Sequence, residues 1–164
     1  MTRRQANLAI FFVCAGLLSY AYYQQFVEML DPCPLCILQR LAVIGVGIMT
    51  LVAAIHNPGR RGARWYAILT SIVALKGMLV AGRHVWIQHL PPDQVPACGP
   101  GLEYMLKTMP IADAIKEAFR GSGDCATVDW TFLGLSMPAW VFIWFVGIIV
   151  AVWLIYMRLP HDKD

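Results

Sequence analysis

The residues best suited to chemistry lie in the stretch 31–40, where Cys33 and Cys36 form a Cys-X-X-Cys pair flanked by prolines. Proline disfavours helical geometry in the residue before it, so a helix is predicted from Leu35 onward. Cys36 then lies in the first turn, where free N–H groups and the helix dipole favour a thiolate. Arg40 follows four residues later, on the same helix face. The stretch therefore predicts a redox-active thiol pair beside a cation.

Two other roles remain open for this pair. It could be a structural disulfide in a non-catalytic membrane scaffold. It could also be half of a zinc site, although zinc knots usually have two close cysteine pairs and this chain has one. An oxidising compartment, which the cysteine placement favours, also works against zinc.

The composition is that of a membrane protein. Of the 164 residues, 59% are hydrophobic and 14% are charged, whereas soluble domains have about 25% charged residues. The net charge is only +3 and the sequence has no run of basic residues, so no nucleic-acid partner is expected. Crossing a bilayer takes about 20 mostly apolar residues. We predict one integral membrane domain over 1–164, with spans at about 8–27, 37–55, 65–82 and 138–157.

The basic residues predict the orientation of these spans. They precede the first span, crowd the link between the second and third, and follow the fourth, at Arg3, Arg4, Arg60, Arg61, Arg64, Arg158 and Lys163. By the positive-inside rule, both termini are cytoplasmic. The segments 28–36 and 83–137 are then periplasmic loops. Within 102–119, apolar residues at helical spacing with a break at Pro110 predict a short amphipathic helix or helix pair on the membrane surface.

Five cysteines fit two disulfides and one bystander. Cys14 falls within the first span and is expected to be a small buried residue. The other four lie outside the spans, which indicates an oxidising compartment. Cys98 and Cys125 are separated by 26 residues, and a bridge between them would stabilise the fold by about 3 kcal/mol if purely structural. Cys98 lies in a Pro/Gly segment accessible to another protein, which favours a redox role. Four cysteines allow three pairings.

Other ionisable residues have weaker claims to a function. His84 lies at the outer end of the third span, where it could reach the same membrane face as Arg40. His56 and His89 receive less weight. Lys76 lies in the middle of the third span, where an ionisable group suggests function, but no span contains an acidic partner.

Together these residues resemble the DsbB family of membrane thiol–quinone oxidoreductases. The resemblance rests on Cys33-Pro-Leu-Cys36 followed by Arg40, and on Gly123-Asp124-Cys125 leading into Trp130-Thr-Phe-Leu-Gly-Leu-Ser-Met-Pro138. It covers nearly the whole chain and implies an all-α four-transmembrane-helix bundle in the bacterial inner membrane. Two positions differ from the family pattern or vary within it: Gln39 stands where some relatives carry an acid, and Pro34 occupies a variable position.

The resemblance also implies a reaction. A reduced DsbA-like thiol oxidase would attack Cys98 and reduce a Cys98–Cys125 disulfide. Electrons would then pass to Cys33–Cys36 through a transient Cys33–Cys125 bridge. Cys36 would reduce a quinone, ubiquinone or menaquinone, held near Arg40 and His84. The DsbA–DsbB–quinone relay is the known system that keeps the bacterial periplasm oxidising, and residue spacing alone does not establish it.

Two enzyme alternatives stay open in addition to the non-catalytic membrane scaffold. A vitamin K epoxide reductase-like protein also carries a Cys-X-X-Cys on a four-helix bundle, often with a fused or neighbouring thioredoxin-like domain, and none is fused in this chain. An oxidase dedicated to a single partner is the other.

Overall fold

Long helices make up most of the chain. The computed structural model describes residues 2–97, 102–128 and 130–160. Its elements, in chain order, are α1 (Arg3–Phe26), α2 (Pro34–His56), α3 (Arg60–Gln88), α4 (Leu102–Thr108), α5 (Ile111–Arg120), a 3₁₀ turn (Gly123–Ala126), β1 (Thr131–Phe132), β2 (Leu135–Ser136) and α6 (Met137–Arg158).

Four of these helices, α1, α2, α3 and α6, are long and apolar enough to cross a membrane. This confirms the predicted all-α class with four spans. Helix α3 has 29 residues and is therefore about 43 Å long, longer than the roughly 30 Å hydrocarbon core of a bilayer. Its last turns extend past the apolar stretch 65–82, and they carry His84.

The bundle is built from neighbouring pairs. Helix α1 packs on α2, α2 on α3, and α3 on α6. Gly77 of α3 permits the close approach of α6, because a Cβ there would lie 2.3 Å from Cζ of Phe145 and 2.8 Å from Cβ of Ala42. Cys14 is 1% exposed and packs in the same core, which confirms that it is a small buried residue.

The loop before α6 contains the amphipathic helix pair predicted from its sequence. Helices α4 and α5 are separated at Pro110. Ala114 and Ala118 of α5 are fully buried, and Leu38 of α2 packs against them. The neighbouring face of α5 exposes large apolar side chains, namely Ile111, Ile115 and Phe119. A helix with one face on the bundle and an exposed apolar face is suited to the membrane interface.

The helix ends that carry the basic residues meet at one end of the bundle. A cleft there is lined by Arg3 at the start of α1, Asn57 between α2 and α3, and Tyr156 near the end of α6. Asn57 turns the chain between α2 and α3 in the left-handed conformation, with φ of 42°. The Cys-X-X-Cys pair begins α2 and therefore lies at the opposite end.

Candidate functional site

The site begins at the first turn of α2. Cys33 is the N-cap residue, and its Sγ accepts a hydrogen bond from the backbone N–H of Cys36 at 3.4 Å. Pro34 occupies the first helical position, where its missing N–H costs nothing. The Cys33 thiol lies 3.3 Å from Cys36 Sγ and donates to it, and the two sulfurs are unbonded. As the sequence predicts, Cys36 lies in the first turn of the helix.

Helix α3 brings His84 against both sulfurs. Its Nε2 lies 3.8 Å from Cys33 Sγ, and its Nδ1 lies 3.9 Å from Cys36 Sγ. The side chain is 3% exposed. His84 thus contacts the thiol pair itself, which is closer than the shared membrane face expected from its position in the sequence.

Gln39 belongs to the site, and the sequence reading missed this role. Its side chain is 5% exposed, and its amide Nε2 lies 3.0 Å from His84 Nδ1. An amide nitrogen only donates, so Nδ1 accepts and the neutral ring carries its proton on Nε2. That N–H then faces Cys33 Sγ. The available signal was a second polar residue, Gln39, beside Arg40 near the start of an apolar span.

Cys125 joins the same group from the outer loop. It lies in the 3₁₀ turn, is fully buried, and packs with Leu35 and Ile87. One ligand atom each from Cys33, His84 and Cys125 lie within 4.8 Å of one another. A hydrogen bond to Cys33, followed by burial, raises the pKa of Cys125 above its usual value. We call Cys33, Cys36, His84 and Cys125 the thiol cluster.

The hydrogen bonds within the thiol cluster favour a negative charge on one particular sulfur. The Cys125 thiol hydrogen-bonds to Cys33, and the Cys33 thiol donates to Cys36. The Cys33 S–H therefore points towards Cys36, and the raised pKa of Cys125 keeps its proton on the sulfur. A negative charge on Cys36 is the one that this arrangement stabilises.

The turn that holds Cys125 depends on a glycine. Gly121 ends α5 with φ of +81°, and a Cβ there would lie 2.4 Å from Cδ1 of Ile87. The guanidinium of Arg83 donates to the carbonyl of Arg120 at 3.2 Å and ties α5 to α3. The backbone N–H of Gly123 donates to the carbonyl of Ala97 at 3.3 Å. Cys98, which comes next in the chain, lies outside the described residues.

Arg40 lies between α1 and α2. Its guanidinium donates to the carbonyl of Ala21 at 3.1 Å and to the side chain of Gln25. It also lies over the ring of Tyr22, 5.3 Å from the centroid. Nearby Phe26 is exposed on the apolar surface of α1. A guanidinium has five N–H donors, so this donor group beside aromatic surfaces fits a planar ring that bears carbonyl oxygens.

The fold and the site together define a multi-pass membrane protein with a thiol cluster at one end of its bundle. A family model described as disulfide bond formation protein DsbB matches residues 3–155. A protein of Methylococcus capsulatus named disulfide bond formation protein B is 56% identical over 145 residues, covering 88% of both chains. Proteins of the same name are 52% identical in Nitrosococcus oceani, over 87% of this chain and 85% of theirs, and 45% identical in Marinobacter nauticus, over 100% and 98%.

The chain therefore belongs to the DsbB family, and its function is in disulfide bond formation.

Proposed function

We propose that this protein oxidises a DsbA-like periplasmic dithiol and passes the electrons through two cysteine pairs to a membrane quinone. The observation that most directly supports this proposal is the thiol cluster. Cys125, from the outer loop, and Cys33, from the start of α2, are 92 positions apart in sequence yet have sulfurs within 4.8 Å. Thiol–disulfide exchange needs this proximity, because one sulfur attacks the other directly.

The first exchange would occur at the outer loop. A thiolate of the reduced partner attacks Cys98 of a Cys98–Cys125 disulfide and forms a mixed disulfide. The partner's second thiol displaces Cys98, so the partner leaves oxidised and the loop cysteines are left reduced. The hydrogen bond from Gly123 to Ala97 supports this pairing, because it joins the residue before Cys98 to the turn that contains Cys125.

The second exchange would occur inside the thiol cluster. Cys125, as a thiolate, attacks Cys33 of a Cys33–Cys36 disulfide and releases Cys36 as a thiolate. Cys98 then attacks Cys125, which restores the loop disulfide and leaves Cys33 and Cys36 with two electrons and two protons. A thiol of raised pKa is a strong nucleophile once deprotonated and a poor leaving group. Burial, which persists when Cys33 is in a disulfide, still raises the pKa of Cys125 and so favours departure of Cys36 from the bridge.

The quinone, when bound, supplies an acceptor of two electrons and two protons. Arg40 would hold a carbonyl oxygen of its ring through guanidinium N–H donors. His84 would keep the Cys33–Cys36 pair in place and move a proton at Nε2. Gln39 would fix the orientation of the His84 ring.

The location follows from the same proposal. The basic ends of the bundle would face the cytoplasm, and both termini would lie there. The thiol cluster and the loops 28–36 and 83–137 would face the periplasm of a bacterial inner membrane. A quinone dissolved in the lipid could then reach the start of α2 from the side of the bundle.

Anaerobic quinone reduction tests the proposal. Purified protein in detergent receives a reduced thioredoxin-like dithiol and a soluble ubiquinone, and the absorbance of the quinone is followed, with menaquinone as a second acceptor. We expect quinone reduction that requires the dithiol and is abolished in Cys36→Ser. Cys14→Ala is the matched control, since Cys14 lies away from the cluster, and it should keep its activity. Absence of turnover with both quinones would refute the relay.

A further inference from the structure

The thiol cluster also contains a set of zinc-type donor atoms. Ligand atoms of Cys33, His84 and Cys125 lie within 4.8 Å of one another. A tetrahedral zinc ion with bonds of about 2.3 Å to sulfur and 2.0 Å to nitrogen separates two sulfur ligands by about 3.8 Å and a sulfur from a nitrogen by about 3.5 Å. The distance of 3.8 Å between Cys33 Sγ and His84 Nε2 exceeds the sulfur–nitrogen value by about 0.3 Å. Closing the set around an ion needs movements of about 1 Å.

We propose that the reduced protein binds Zn²⁺ through Cys33 Sγ, Cys125 Sγ and His84 Nε2, and that the bound ion blocks thiol exchange. Thiolate and imidazole are the donors that zinc prefers. Each thiol loses its proton to solvent on binding, and no electron is transferred. Binding places the ion on the two sulfurs that must otherwise join.

The surroundings of these atoms suit a metal centre. Leu35 and Ile87 are fully buried beside Cys125 and provide an apolar wall around the set. Gln39 contacts the second nitrogen of His84 at 3.0 Å. Its amide can present either its NH₂ or its carbonyl oxygen there, so it can accept from Nδ1–H when Nε2 binds the ion. Metal-bound histidines nearly always have such an outer partner.

The inference concerns the reduced state only. A disulfide sulfur is no thiolate ligand, so a protein with Cys33 and Cys125 in disulfides should not bind the ion at this site. The sequence alone suggested a zinc site made of four cysteines, but only one pair of them is close in the sequence. The structure supplies a histidine instead, 51 residues from Cys33 and 41 from Cys125. The binding does not depend on a quinone or on a partner.

Cobalt and zinc binding to the reduced full-length protein test this proposal. The protein in detergent is reduced, freed of reductant under anaerobic conditions and titrated with Co²⁺, followed by displacement with Zn²⁺. We expect one ion per chain, thiolate-to-cobalt charge-transfer absorption and tetrahedral visible bands. His84→Ala should weaken zinc binding at least about 10- to 100-fold, the loss that even outer-shell changes produce. Cys14→Ala and Cys98→Ala should bind as the wild type does.

Cysteine alkylation of the wild-type protein provides a second test that does not depend on the folding of any variant. One equivalent of Zn²⁺ should protect Cys33 and Cys125 from alkylation and leave Cys98 reactive, as measured by mass spectrometry of the cysteine peptides. Unchanged affinity in His84→Ala, loss of binding in Cys98→Ala, or equal binding by the oxidised protein would each overturn the assignment. Protection of Cys98 in place of Cys125 would do the same.

Discussion

Replacing Gln39 by leucine tests the geometry of the thiol cluster. Gln39 is 5% exposed, and its amide donates to His84 Nδ1 at 3.0 Å. Leucine has a similar volume and no donor. His84 Nδ1 is then buried without this partner, and the ring is no longer fixed with its Nε2–H towards Cys33.

The size of the effect follows from the burial of both partners. Leaving one buried hydrogen-bonding atom unpaired costs about 1–3 kcal/mol. The penalty falls on the tautomer that presents Nε2–H to Cys33, so at 1.36 kcal/mol per tenfold the exchange at Cys33 should slow by about 5- to 150-fold. The unfolding temperature should change little if the ring relaxes to the other tautomer.

The assay is the pre-steady-state rate of quinone reduction by the dithiol-loaded protein, measured beside thermal unfolding. Thr50→Val is the matched control on the same helix. Thr50 is 1% exposed, and its hydroxyl donates to the α2 carbonyls of Val46 and Gly47, at 3.0 and 3.1 Å. Valine should therefore leave the rate unchanged. A folded Gln39→Leu variant that reacts within about twofold of the wild type would refute this role for Gln39.

Two further changes test the bundle and the sulfur cluster. Gly77→Ala places a Cβ 2.3 Å from Phe145, whereas Gly147→Ala meets no atom within 4 Å. Both gain helix propensity, and overpacking should leave Gly77→Ala less stable than Gly147→Ala by about 1–3 kcal/mol in detergent unfolding; equal stabilities would contradict the packing. Because Cys33 and burial raise the pKa of Cys125, Cys33→Ala should speed alkylation of reduced Cys125 at pH 8 by about tenfold or more, read by mass spectrometry. An unchanged rate would mean that Cys33 does not control this thiol.

The architecture was predictable from the sequence because lipid imposes simple requirements. Four apolar stretches near 20 residues specify four helices, since a spanning segment must satisfy its own backbone. The start of α2 was equally accessible, because Pro34 restricts the residue before it and so places Cys36 in the first turn. Pro110 likewise separates α4 from α5.

The composition of the site was less predictable because it depends on contacts between distant segments. His84 and Gln39 are 45 residues apart, and only the packing of α3 on α2 brings them together. The return of Cys125 to the start of α2 requires Gly121 to approach Ile87 closely, which no local pattern encodes. Arg40 was expected beside Cys36 from its spacing along the helix. Its hydrogen bonds to Ala21 and Gln25 come from α1, so they could not be read from α2 alone.

The atom that caps the N-terminus of α2 is itself redox-active, because Cys33 Sγ accepts a hydrogen bond from the backbone N–H of Cys36. In the reduced protein this sulfur lies 3.3 Å from Cys36 Sγ, so forming a disulfide must move it away from the N–H, and an N-cap hydrogen bond is worth about 0.5–2 kcal/mol. The first turn of α2 should therefore fray more easily when Cys33 is oxidised. The rate of hydrogen–deuterium exchange at the Cys36 amide would then report the oxidation state of the protein. It would need neither a dye nor an added thiol reagent.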